Sequence, residues 1–166
     1  MDLPKRKPNR LKEYNYSWPG TYFITVCTKK HKCILSRIVG ASIVGASIAR
    51  PPTVLLSAYG KIVDEAIRSI PLHYPTITIE HYVVMPNHIH LLLQINADEY
   101  GRPMVAPTIS TVIQQMKGYV TKNIGFSIWQ KLFHDHIIRG EKDYVKIRDY
   151  IENNPARWPD DCFYTP

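Results

Sequence analysis

The chain has 166 residues, 45% hydrophobic and 21% charged, enough to close one core without disulfides or a structural metal, which excludes a disordered chain and a disulfide scaffold. Its formal charge of +7 makes a polyanion such as nucleic acid a suitable partner, and Lys5, Arg6, Lys7, Arg10 and Lys12 crowd the first twelve residues. No apolar run approaches the roughly 18 residues of a membrane span, and "MDLPKRKPNRLKEYNY" has no apolar centre of a signal peptide, so a cytoplasmic protein without membrane contact is expected.

In chain order, residues 1–18 read as a basic arm, whose plainest use is solvation and whose charges also suit a DNA backbone. A folded domain is expected over 19–158 and a short tail over 159–166. "GTYFITVCTKK" from Gly20 reads as a strand, being rich in aromatic and β-branched residues, and "KCILSRIV" is expected to pair back on it. Then "VGASI" occurs twice in tandem, at Val39–Ile43 and Val44–Ile48. Small and apolar, and followed by "ARPPT", the repeat reads as a mobile loop insertion over 39–53.

"SAYGKIVDEAIRSI" reads as a helix with Ser57 as N-cap, an apolar face through Ile62, Val63, Ala66, Ile67 and Ile70, and an end at Pro71 and Pro75. "TITIEHYVVM" and "HIHLLLQI" are strands joined by a Pro86-Asn87 turn. "STVIQQMKGYVTKNIG" is a second helix closed near Gly125, "LFHDHIIR" another strand, and "EKDYVKIRDYIENN" a third helix stopped by Pro155. The order β-β-α-β-β-α-β-α predicts an α+β sandwich of the ferredoxin-like type, a mainly antiparallel sheet with helices on one face and the other open for a ligand.

Three cysteines, Cys27, Cys33 and Cys162, form no CxxC pair, which argues against a disulfide framework and a zinc ribbon. A metal site at Cys27, His31 and Cys33 matches no strong spacing. The histidines of "MPNHIHLLL" carry more. On a strand His88 and His90 share one face while Ile89 points to the other, so the two imidazoles can ligate one ion. Two strand residues that happen to be histidine would look the same. A rival pair, His134 and His136, has the charged Asp135 between its members and is the poorer platform.

On the third helix, Tyr144, Ile147 and Ile151 form the apolar stripe, and Tyr150 and Asn154 fall together along one edge of it, four residues apart. A phenol is a potential nucleophile and a carboxamide oxygen a potential metal ligand. Packing and an ordinary helix stop would also account for both, and Pro155 disfavours helical geometry at Asn154.

Together, "GTYFITVCT", "YVVMPNHIHLLL", "IWQKLFHDHIIRGEKDY" and "DYIENNPARW" resemble the REP-associated tyrosine transposases, single-tyrosine members of the HUH (histidine–hydrophobic–histidine) endonucleases. The resemblance implies a metal-dependent endonuclease and strand transferase acting on single-stranded DNA with a hairpin, through a 5′-phosphotyrosine. It implies that His88, His90 and Asn154 hold Mg²⁺ or Mn²⁺ and that Tyr150 is the nucleophile. It also implies a monomer or a homodimer. Gly140 stands where many relatives carry a polar residue opening the last helix, and the repeat has no counterpart. Lys117 and Lys122, with Lys5, Arg6, Lys7 and Arg10 of the arm, are the expected DNA-backbone contacts. Two other readings remain: a non-cleaving hairpin-binding descendant, and a hydrolase that activates water with no covalent step.

Overall fold

The computed structural model describes residues 15–40, 43–44, 47–48, 52–97 and 107–165. Residues 1–14 of the expected arm, and with them Lys5, Arg6, Lys7 and Arg10, lie outside the described residues. Four strands, β1 (Gly20–Cys27), β6 (Ile77–Val84), β7 (His88–Ile95) and β8 (His134–Ile137), form an antiparallel sheet in the order β6-β7-β1-β8. Helix α1 (Ala58–His73) leads into β6, and α2 (Ile109–Ile124) leads from β7 towards β8. This is the βαββαβ arrangement of a ferredoxin-like sandwich, the class expected from the sequence.

Alternation along the strands builds the core. Tyr22, Ile24 and Val26 of β1 and Ile89, Leu91 and Leu93 of β7 share one face and are fully buried. Val63, Ala66, Ile67 and Ile70 of α1 pack on that face beside Val112, Ile113, Met116 and Val120 of α2. Each buried Val, Leu, Ile or Met among them gains roughly 1.5–3 kcal/mol over exposure. The caps are set locally. Ser57 Oγ accepts from Gly60 N–H at 3.0 Å, Thr108 Oγ1 accepts from Thr111 N–H at 3.3 Å, and Gly125 ends α2 in the left-handed region at φ 92°.

Helix α1 runs past Pro71 to His73. The proline removes only its own donor, and the last turn still closes through Tyr74 N–H to Ile70 O at 2.9 Å. The second strand does not pair back on β1, whose two edges are taken by β7 and β8. Instead β2 (Ser36–Val39) pairs with β5 (Thr53–Leu56). Most of the repeat lies between them, and β3 (Ile43–Val44), at the junction of the two copies, runs antiparallel to β4 (Ser47–Ile48) in the second copy, with Ile43 opposite Ile48. The remainder of 41–51 lies outside the described residues.

The second face of the sheet carries Phe23, Thr25, Cys27, His88, His90 and Leu92. It is the face expected to stay open for a ligand, and α3 (Glu141–Asn153) crosses it, burying Ile151. Every residue of β7 except Gln94 is buried as a result.

Candidate active site

The β6–β7 turn fixes the first two groups of the site. Met85 N–H donates to His88 O at 2.9 Å, and β7 then runs opposite β1, with His88 facing Cys27 and His90 facing Thr25. The imidazoles lie side by side on the α3 face while Ile89 enters the core on the other. Their Nε2 atoms are 3.0 Å apart, a separation that one ion at imidazole–metal distances of about 2.0–2.1 Å can bridge.

Asn87, fully buried, decides which nitrogen of His88 carries the proton. Its Nδ2 donates to Phe163 O at 2.6 Å and to His31 O at 3.2 Å. That orients Oδ1 towards His88 Nδ1, 2.9 Å away. A carboxamide oxygen only accepts, so Nδ1 holds the proton and Nε2 presents a lone pair to the site. His90 Nδ1 is held by Thr25 Oγ1 at 2.8 Å. Burial depresses the His88 imidazole to about 4, opposed by the nearby Asp161 carboxylate, and burial beside His88 holds His90 well below its ordinary value. Both rings are therefore neutral at neutral pH, the form that ligates a metal.

Helix α3 brings the other groups. Gly140 supplies no side-chain cap, and Asp143 in the first turn ties the helix to the preceding segment, accepting Arg139 N–H at 3.1 Å while pairing with His136 Nε2 at 2.9 Å. The Tyr150 ring lies 5.2 Å from the His90 ring and meets Phe23 edge-on at 6.1 Å. Burial and the neighbouring Asp161 push the phenol up to about 12, while Asn154 pulls it down. Despite Pro155, Asn154 keeps helical angles (φ −57°, ψ −41°), because the chain continues into a 3₁₀ turn, Pro155–Asp160, in which Asn154 O accepts from Arg157 N–H at 3.1 Å.

That turn delivers a residue the sequence did not single out. Asp161 places a carboxylate oxygen within 4.8 Å of ligating nitrogens of both histidines. Asn154 Nδ2 donates to Asp161 Oδ2 at 2.9 Å, and Phe163 N–H to Asp161 Oδ1 at 2.7 Å. Asn154 is 2% exposed, and its Oδ1 is buried with no hydrogen-bond partner. An orphaned acceptor of this kind costs about 1–3 kcal/mol unless something supplies positive charge. Two imidazole lone pairs, an unpartnered carboxamide oxygen and a carboxylate fit a divalent cation. No spacing signal marks Asp161. It lies beyond the helix, in "ARWPDD", within the stretch set apart as a tail.

The remaining expected residues lie elsewhere. His134 and His136 are exposed on β8, with His136 committed to Asp143, and His88, His90 and Asp161 are the cluster of metal-ligating side chains found among the described residues. Cys27, Cys33 and Cys162 are free thiols. Helix α2 packs on the opposite face of the sheet from the histidines. Lys117 directs its ammonium to the carbonyls of Gln130 at 2.9 Å and Leu132 at 3.3 Å, and Lys122 is exposed in the last turn. No helix among the described residues is long and apolar enough to cross a membrane.

No family model matches the chain. It is 33% identical over 178 residues to an uncharacterized protein of Haemophilus influenzae, covering 96% of this chain and 93% of that one. A putative REP-associated tyrosine transposase of the same organism is 30% identical over 109 residues, which span 55% of this chain and 61% of the relative. Among solved structures, a REP-associated tyrosine transposase bound to a REP hairpin matches with a TM-score of 0.62 and 25% identity, covering 89% of this chain and 74% of that chain.

Proposed function

We propose that this chain, which is similar to REP-associated tyrosine transposases, cuts and rejoins single-stranded DNA through a tyrosine–DNA intermediate. The observation that carries the reading is the unpartnered, buried Asn154 Oδ1 beside the His88–His90 nitrogen pair, on the same helix edge as Tyr150.

His88 Nε2, His90 Nε2 and Asn154 Oδ1 would hold Mg²⁺ or Mn²⁺, and the negative charge of Asp161 in the same space favours a cation there. A bound divalent ion would withdraw charge from a phosphodiester and orient it. Tyr150 Oη attacks phosphorus, forming an O–P bond as the bond from phosphorus to the 3′-oxygen breaks. The products are a 5′-phosphotyrosine and a free 3′-OH. The Asp161 carboxylate, whose charge helps raise the phenol's pKa, is the acceptor proposed for its proton. Attack by another 3′-OH on the phosphotyrosine reverses the step and joins strands without ATP. The solved relative is bound to a hairpin, which supports hairpin-containing DNA as the substrate.

The test is to incubate the protein with labelled hairpin-containing single strands and Mn²⁺ and resolve the products on a denaturing gel. A protein-linked band that disappears in Tyr150→Phe and with chelator is expected. Hairpin binding with no adduct would instead mark a non-cleaving descendant, and cleavage surviving Tyr150→Phe would mark a water-activating hydrolase.

A further inference from the structure

The stretch Lys29–Lys32, directly after β1, is held in a conformation that its residue types disfavour. Lys30 (φ 55°, ψ 26°) and His31 (φ 50°) are both left-handed, at roughly 1–2 kcal/mol each for residues with a Cβ. Such strain persists where the surroundings over-determine it, and here they do. Thr28 N–H donates to Asn87 O at 2.9 Å and Lys29 N–H to Ile128 O at 2.7 Å. Asn87 Nδ2 donates to His31 O at 3.2 Å, and the His31 ring contacts the Gln130 amide at 3.1 Å. His31 also stacks on Phe163 at 5.4 Å, and Phe163 lies 4.8 Å from the His88 ring. The turn is thus anchored to the site through two ring contacts.

The same anchoring joins two lysine-bearing segments, the turn and the stretch after Ile128. Lys29, Lys30 and Lys32 are exposed on the turn, and Lys131 is exposed on the adjoining segment, next to Gln130. No ion pair among the described residues reaches any of them. Four unopposed like charges on a rigid, strained base are disfavoured in the free protein and relieved by a polyanion.

We propose that Lys29, Lys30, Lys32 and Lys131 form a phosphodiester-binding site that holds the single-stranded backbone leading into the His88–His90 site. This rests on the reading of that site as acting on DNA, since a strand delivering a phosphate to His88 must pass one of its rims and this rim is cationic. The lysines read charge and spacing, so the site is indifferent to base sequence.

The test is fluorescence anisotropy on labelled oligonucleotides across a salt series, comparing wild type with the variant Lys29→Gln/Lys30→Gln/Lys32→Gln/Lys131→Gln. The probes are a hairpin with a single-stranded flank and the blunt stem alone. For the flanked probe the variant should bind about tenfold or more weakly near physiological salt, with the slope of log affinity against log salt reduced by about 3, near 0.7 per lysine. The blunt stem should lose little, and circular dichroism should show an unchanged fold. An unchanged salt slope, equal loss on the blunt stem, or no binding of either probe by wild type would each overturn the proposal. An adduct assay on the wild type separates the two readings. A lysine-dependent slope with no covalent adduct would uphold this site while refuting the cutting reaction.

Discussion

Asn87 Oδ1 lies 2.9 Å from His88 Nδ1, and the other half of that carboxamide is committed to the backbone carbonyls of Phe163 and His31. Asn87 therefore sets the tautomer of the imidazole proposed as a metal ligand and ties the turn, the site and the C-terminal segment together. Replacing Asn87 by Leu, similar in shape, should weaken Mn²⁺ binding about 10–100-fold. It should also cost about 1–3 kcal/mol of stability through the carbonyls left unpaired. Titration calorimetry and denaturant melts measure the two effects separately. An unchanged Mn²⁺ affinity would show that Asn87 does not set the tautomer.

Burial of His88 has a consequence for pH. Its folded value of about 4 lies below the ordinary 6.5, so the folded state resists a proton that the unfolded chain accepts. The associated stability is fully present above about 6.5 and is lost as the pH falls towards 4. With chelator present, the denaturation midpoint should be lower at pH 4.5 than at pH 7.5, and His88→Gln should flatten that difference. Equal midpoints in the wild type would contradict the burial account.

Lys117 tests the division between fold and DNA contact. Burial lowers its pKa, and its ammonium already serves the carbonyls of Gln130 and Leu132. Lys117→Met should cost about 1–3 kcal/mol in a thermal melt and leave the salt slope of DNA binding unchanged. A stable variant with a reduced slope would make Lys117 a phosphate contact after all.

Two glycines should respond to alanine with opposite sign. A Cβ on Gly60 would stand 2.0 Å from the Leu35 carbonyl oxygen, whereas one on Gly118 meets nothing within 4 Å. Gly60→Ala should destabilise by about 1–3 kcal/mol or more, since backbone must move. Gly118→Ala, inside α2, should stabilise by about 0.5–1 kcal/mol. Urea denaturation of both variants checks the close approach of α1 to the Leu35 segment.

What was legible in the sequence was what depends on neighbours along the chain. Ser57 and Gly125 cap their helices as their types require, strand alternation puts His88 and His90 on one face, and helical spacing sets Tyr150 and Asn154 on one edge. Features set by distant segments were not legible. Nothing local says that β1 prefers β7 and β8 to the strand that follows it, or that α3 covers the histidine face. Asp161 reaches the histidines only because a 3₁₀ turn carries the chain back after Asn154. Asn87 read as a turn residue, and its larger role comes from carbonyls 56 and 76 residues away.

The account rests on Tyr150 as the atom that joins DNA. Trypsin should release it within Asp149–Arg157, a peptide with no other tyrosine. After reaction with a hairpin-containing single strand and Mn²⁺, followed by nuclease digestion, tandem mass spectrometry of that peptide is the most direct measurement. A 5′-nucleotide phosphate on the Tyr150 phenol is the predicted result. Cut DNA with that peptide unmodified, or with the nucleotide on another residue, would contradict the account.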